Sequence, residues 1–152
     1  MGLIGIRRAT FDDLPHVLRF RRGMLSDMGS PGEAALDRME EAATAFLREG
    51  FADGSCLVWI AEDERPVACG MLHVVPWIPS TLDPSTRRVW VHNMYTEPAY
   101  RRRGIAREIL QVMLAWCRSQ GFLSVTLHAS EQGRGVYERL GFRASNEMRL
   151  VL

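Results

Sequence analysis

The 152-residue chain lacks the features that would replace a hydrophobic core or anchor it in a membrane. It holds three cysteines, Cys56, Cys69 and Cys117, an odd number with no C-x-x-C spacing and no histidine cluster beside them. That excludes a disulfide framework and a metal knuckle, and leaves buried thiols of a reducing compartment. No apolar run approaches the ~20 residues of a membrane span, and "MGLIGIRRAT" has no apolar stretch long enough for a secretory leader. A cytoplasmic protein without a membrane partner is therefore expected. An excess of one charge is also missing: 19 basic against 18 acidic residues give a formal net charge of +1. Such balance supplies no broad field for nucleic acid, so no nucleic-acid partner is expected and any anion site must be local. Linkers, low-complexity tracts and internal repeats are absent. With 47% hydrophobic residues, a chain of this length buries about 68–70% of its unfolded surface, so one domain over residues 1–152 is expected.

What is present is strong periodicity. Residues 3–7, from Leu3, read as a short strand. Thr10 with Asp13 resembles a capping box opening a helix whose stripe is Leu14, Val17, Leu18, Met24 and Leu25. Ser30-Pro31-Gly32-Glu33 opens a second helix, with Leu36, Met39, Ala43, Phe46 and Leu47 at helical spacing up to Gly50. "CLVWIAED" and "VACGMLHVV", separated by a charged turn, predict an antiparallel hairpin. Pro76, Pro79 and Pro84 then break the pattern before "RRVWVHNMY" resumes extended character. Residues 105–120 carry Ile105, Ile109, Leu110, Met113 and Trp116 or Cys117 on one side, with Gly121 as the stop. "LSVTLHAS" reads as a strand, "GRGVYERLG" as a short helix and "EMRLVL" as a closing strand.

Between the strand at 88–95 and the helix from Ile105 lies "YRRRGIARE", three arginines placed directly before a glycine. The first N–H groups of a helix have no partner within it and converge on a point that favours an anion, phosphate above all. Backbone amides approach only where side chains stay clear, which gives Gly104 and Ala106 a reason to be small, while guanidinium groups add charge-assisted bonds. Taken alone, such a run is more often a solvated arginine cluster beside a helix cap than an anion site. It is not a Walker A element, since no Gly-Lys-Ser/Thr follows, and it lacks the glycines of the Rossmann fingerprint.

Arg101-Arg102-Arg103-Gly104-Ile105-Ala106 resembles the acyl-CoA pyrophosphate loop, Arg/Gln-x-x-Gly-x-Gly/Ala, of the Gcn5-related N-acetyltransferase superfamily. "NMYTEPAY" resembles that superfamily's fourth strand running into the loop. "LHASEQGRGVYERLGF" is similar to its fifth strand, last helix and Tyr-x-x-x-Gly-Phe element. The resemblance implies a single α/β (α+β) domain: a mixed central sheet of about six to seven strands, with splayed fourth and fifth strands, flanked by about four helices. It implies acetyl-CoA as the donor, with the pantetheine arm bonding backbone groups of Met94, Tyr95 and Thr96 as an added strand. The pyrophosphate is expected on amides of Arg102, Arg103, Gly104, Ile105, Ala106 and Arg107, with the side chains of Arg101, Arg102 and Arg107 in reach. Ser130 stands where many relatives carry an asparagine that contacts the pantetheine, and Arg134 is either a cofactor contact or an exposed helix arginine.

Amine attack on a thioester requires a neutral amine, a stabilised oxyanion and a protonated leaving thiolate. The resemblance assigns the oxyanion to the Met94 N–H and the proton donor to Tyr137. His92, with the alternation parity of Met94, is the candidate base, in competition with Glu97, Glu131 or a water chain; Asn93 then points the other way. His73 and His128 are weaker candidates, and no residue set has metal-ligand spacing. The acceptor, the amine of a small molecule or a peptide, is expected between "LSDMGSPG" and "PWIPSTLDPST"; Met24, Met28, Trp77 and Ile78 are either its apolar wall or, as such residues more often are, ordinary packing. Asp27, Glu33 and Asp83 are either cation attractors or solvated acids. The family resemblance also admits a homodimer. Two other readings remain: a catalytically silent acyl-CoA-binding or regulatory module, and a nucleic-acid binder using Arg101, Arg102 and Arg103.

Overall fold

The computed structural model describes residues 4–152, so Leu3 lies outside the described residues. Five strands form one sheet in chain order: β1 (Gly5–Arg8), β2 (Cys56–Glu62), β3 (Pro66–Pro76), β4 (Arg87–Thr96) and β5 (Thr126–Leu127). The first four pair antiparallel and β5 runs parallel to β4. Parallel neighbours need a long crossover. It is supplied by α3 (Ile105–Ser119), while α1 (Leu14–Asp27) and α2 (Glu33–Asp53) precede β2, and α4 (Glu131–Arg139) follows β5.

The α/β class and the four helices agree with expectation; the sheet is smaller than six to seven strands. Only Thr126 and Leu127 of "LSVTLHAS" pair. "EMRLVL" has an alternating pattern, yet residues 147–152 form no strand and Met148, Leu150 and Val151 are exposed. Alternation provides a face, but a strand also needs a neighbour's row of N–H and C=O groups. The second helix also outruns its expected stop at Gly50 and ends at Gly54, in the left-handed region at φ 76°. Gly50 stays inside the helix because the sulfur of Cys56 occupies the space its side chain would take.

The two faces of the sheet bury separate cores. On one, Val17 and Phe20 of α1 and Leu47 of α2 meet Val58, Ile60, Cys69 and Met71. On the other, Ile109, Leu110 and Met113 of α3 meet Leu57, Leu72, Val89 and Val91. The predicted stripe of α3 is buried from Ile105 to Cys117. At the start of α1, the Asp13 carboxylate accepts from the Thr10 N–H at 2.8 Å and from both nitrogens of the Arg7 guanidinium fork at 2.8 Å. The guanidinium holds that carboxyl well below the usual carboxylate range and joins α1 to β1.

A β-bulge interrupts β4. Pairing with β3 jumps from Met71↔His92 to Cys69↔Tyr95, and Asn93 sits in the left-handed region at φ 53°. The extra residue resets the alternation. Asn93 turns to the α1 face, where its Nδ2 donates to the Val17 carbonyl at 3.3 Å, and Met94 turns to the α3 face. The expected parity is thereby corrected: His92 and Asn93 share one face, and Met94 lies on the other. Gly70 opposite the bulge makes room, since a Cβ there would stand 2.5 Å from Met94 Sδ and 2.7 Å from Met113 Sδ. A left-handed conformation costs a residue with a Cβ about 1–2 kcal/mol, and asparagine tolerates it better than a branched side chain. Asn93→Val is therefore expected to destabilise the protein by about 2 kcal/mol more than Asn93→Gly in urea denaturation; equal losses would show that the bulge stores no such preference.

Candidate active site

Pairing between β4 and β5 is confined to Trp90↔Thr126 and Val91↔Leu127. Beyond Val91 the edge of β4 that faces β5 has no strand partner among the described residues, so backbone groups of residues 92–96 border an open gap. Several of their atoms are already engaged. The Asn93 carbonyl accepts from the Cys69 thiol at 3.2 Å, and the Thr96 carbonyl accepts from Arg101 Nε at 2.8 Å. Asn93 Oδ1 is buried with no hydrogen-bond partner among the described residues. The Tyr95 ring packs on Phe20, centroids 5.9 Å apart, and thus belongs to the α1 face.

The chain leaves β4 through a single turn, Pro98–Tyr100, and reaches α3 through two left-handed residues, Arg102 at φ 61° and Gly104 at φ 83°. This alternation makes successive N–H groups point inward, a concavity that suits anions, and it adjoins a helix N-terminus. The amides of Arg102, Gly104, Ile105, Ala106 and Arg107 donate to no acceptor among the described residues. A Cβ on Gly104 would meet nothing within 4 Å, so the cradle is open.

The arginines of the loop are not equivalent. Arg101 turns back to Asp27 and the Thr96 carbonyl and lies over the Tyr95 ring, 5.4 Å from its centroid. Two of its guanidinium nitrogens, Nε and Nη2, thus serve the protein itself. Arg103 donates to the Ala99 carbonyl at 2.9 Å and covers the Tyr100 ring. Arg102 and Arg107 are exposed and have no hydrogen bond or ion pair among the described residues.

Across the gap, Ser130 caps α4, its Oγ accepting from the Gly133 N–H at 3.1 Å. This capping duty engages the hydroxyl that the family resemblance sets against pantetheine. Arg134 is exposed, 3.9 Å from Glu138 one turn on. Tyr137 packs on Phe142 at 5.9 Å and against the core of the α3 face, the same core that Met94 joins. Burial pushes its phenol up, and its hydroxyl has no hydrogen-bond partner among the described residues.

His92 lies on the opposite face. Its ring is 6.1 Å from His73 and stacks on Trp90 at 6.4 Å; Trp90 in turn is 5.1 Å from His128, and Phe46 is 5.1 Å from His73. Burial first, then the charges of His73, Arg21 and His128, hold its pKa down to about 4. The imidazole is neutral at neutral pH, but it is a weak proton store for an amine. Glu97 is less suited still: Arg19 and Arg65 hold it ionised, the latter at 2.6 Å. Of the carboxylates considered for a cation, Asp27 pairs with Arg101, Glu33 with Arg22 and Asp83 with Arg88. Trp77 is 47% exposed and Ile78 81% exposed, so they form no enclosed wall. A groove of about 430 Å³ between α1 and α2, floored by Leu14 and Leu18, includes none of these groups.

Arg21 was not legible as a site residue. It follows Val17 by one helical turn, a place on the buried stripe, and a charge on such a stripe is the signal that points to it.

These features can be set beside known proteins. The model described as the acetyltransferase (GNAT) family matches residues 24–142. A crystal structure of a GCN5-related N-acetyltransferase from Ralstonia eutropha has a TM-score of 0.92 at 30% identity, covering 99% of this chain and 99% of that one. A protein from Clostridium acetobutylicum described as a predicted acetyltransferase, crystallised with acetyl-CoA, has a TM-score of 0.89 at 25% identity, covering 99% and 96%. Human N-acetyltransferase 8 is 28% identical over 112 residues, 72% of this chain and 46% of its own length, so the chain spans about half of that curated relative. The match of the family model over residues 24–142, together with a fold shared along nearly the whole chain, shows that this protein belongs to the acetyltransferase (GNAT) family.

Proposed function

We propose that the chain is an acyl-CoA-dependent N-acetyltransferase that moves an acetyl group from acetyl-CoA to the primary amine of a small molecule or peptide. One observation carries this reading: the cradle formed by the undonated amides of Arg102, Gly104, Ile105, Ala106 and Arg107 opens at the end of the edge of β4 that has no strand partner among the described residues. The donor fits these residues. A diphosphate needs converging N–H donors and positive charge, which the two left-handed residues, the first turn of α3, Arg102 and Arg107 supply. Its extended amide-bearing arm needs a free strand edge, which residues 94–96 border. When bound, acetyl-CoA supplies a thioester carbonyl activated for attack by an amine.

The remaining roles fall to the chain. The Met94 N–H, beside the bulge, donates toward the thioester carbonyl. Tyr137 holds a proton above neutral pH, and its uncommitted hydroxyl gives that proton to the leaving sulfur. His92, kept neutral, accepts a hydrogen bond from the incoming amine, while the excess proton passes to solvent. The cytoplasmic setting fits three free thiols, all buried, whose pKa values burial raises to about 11 for Cys56, about 12 for Cys69 and about 11 for Cys117.

Ala106→Glu places a carboxylate in the cradle and is expected to weaken acetyl-CoA binding by about 100-fold or more in calorimetry, with the thermal midpoint unchanged. Unaltered affinity would remove the loop from the site. Tyr137→Phe is expected to lower kcat by about 10²–10⁴-fold with little change in acetyl-CoA affinity; an unchanged kcat would assign the proton to another donor, and binding without any turnover in the unaltered protein would favour the silent module. Because His92 takes up a proton only near pH 4, the pH profile of kcat/KM should show no inflection near pH 6.5, its rise following ionisation of the amine. An inflection at 6.5 that His92→Gln abolishes would make the imidazole the base.

A further inference from the structure

The α1 face of the gap holds a cation that the protein leaves unpaired. Three arginines follow one another closely on α1. Arg19 meets Glu97, and Arg22 meets Glu33 at 2.6 Å, Asp37 at 2.9 Å and Glu40 at 2.9 Å. Arg21 between them is half-buried and has no hydrogen bond, ion pair or ring contact among the described residues. Its position follows from the docking of α1 on β4. The bond from Asn93 Nδ2 to the Val17 carbonyl fixes that contact at 3.3 Å, and Arg21 lies one turn further along the helix. Its charge acts on His92, and burial lowers its own pKa because no carboxylate offsets the loss of water. The two acids that act on the neighbouring histidines have partners of their own: Glu147 bonds His128 at 3.0 Å, and Asp53 accepts from the Ser55 N–H at 2.8 Å and acts on His73.

A half-buried guanidinium without a counter-ion is costly for a fold to keep, and it is best matched by a planar anion that its fork can hold in two parallel bonds. The donor's diphosphate belongs elsewhere, at 102–107 beyond the far end of β4. What reaches the His92 face is the acceptor. One cation with the neutral His92 imidazole and the rings of Trp90 and Phe46 suits one negative charge beside an apolar group, and not a phosphate, which calls for several cations.

We propose that the acceptor amine carries a free carboxylate bound by Arg21, and that it is an α-amino acid or a close derivative with an apolar side chain against Trp90 and Phe46. This rests on the transferase reading above. The N–C bond to the acetyl carbonyl forms as the C–S bond breaks. Net, one amine proton ends on the sulfur of free CoA, and the products are an N-acetyl amino acid and the thiol.

The test is release of CoA thiol with the twenty amino acids and their matched carboxamides, run with the unaltered protein, Arg21→Gln and Arg21→Lys. At least one apolar amino acid is expected to exceed its amide by about tenfold or more in kcat/KM. Arg21→Gln is expected to erase that preference, Arg21→Lys to keep part of it, and both to retain acetyl-CoA affinity in calorimetry. Equal use of acid and amide, a preference that survives Arg21→Gln, or no thiol release with any of them would overturn the proposal. Calorimetry separates the failures: retained acetyl-CoA binding confines the error to the acceptor, whereas no binding withdraws the transferase reading as well.

Discussion

A single left-handed residue on a strand organises the site. Were β4 regular, His92 and Met94 would share a face, and the next strand could pair along its length. Asn93 at φ 53° adds one residue against β3 and exchanges the faces, so that His92 and Asn93 look to α1 while Met94 looks to α3. Gly70 admits the displaced methionine, and the amide of Asn93 anchors the bulge to the Val17 carbonyl. The two sides of the gap thus become chemically different. One carries the neutral His92 imidazole and a half-buried guanidinium, and the other carries Met94 and Tyr137 packed on a common core.

Charge is distributed by the same logic. The chain contains no lysine, and all 19 basic residues are arginine. Several are spent on structure: Arg7 on Asp13 and Glu62, Arg22 on three acids of α2, Arg65 on Glu97 and Arg101 on Asp27. Arg102, Arg107 and Arg21 have no hydrogen bond or ion pair among the described residues, the first two beside the amide cradle and the last on the His92 side. A chain of formal net charge +1 can in this way leave positive charge in two local places without a field that gathers nucleic acid.

The parts of this arrangement that were legible in the sequence are those set by local chemistry. The apolar stripe of α3 and the glycine that begins it are written in residues 104–117, and the capping pair Thr10 and Asp13 lies where the contacts place it. What depends on distant partners was not legible. Arg101 and Arg102 are identical and adjacent, yet Asp27 and the Thr96 carbonyl claim only the first. "EMRLVL" alternates well enough for a strand but has no ladder to join. The bulge escaped because period-two reasoning assumes that every residue occupies one step, and an asparagine is the one weak sign that a step is doubled. Arg21 was hidden for the opposite reason: helix periodicity places it on the buried stripe, where a charge is easily set aside.

If the cradle and the edge of β4 beyond Val91 form one continuous donor site, acetyl-CoA should perturb both together. A map of backbone amide chemical shifts in labelled protein titrated with acetyl-CoA tests this directly. Saturable shifts are expected at 102–107 together with 93–96, and small ones in the α1–α2 groove around Leu18 and Thr44. Shifts confined to that groove, or none at the cradle under saturating acetyl-CoA, would contradict it.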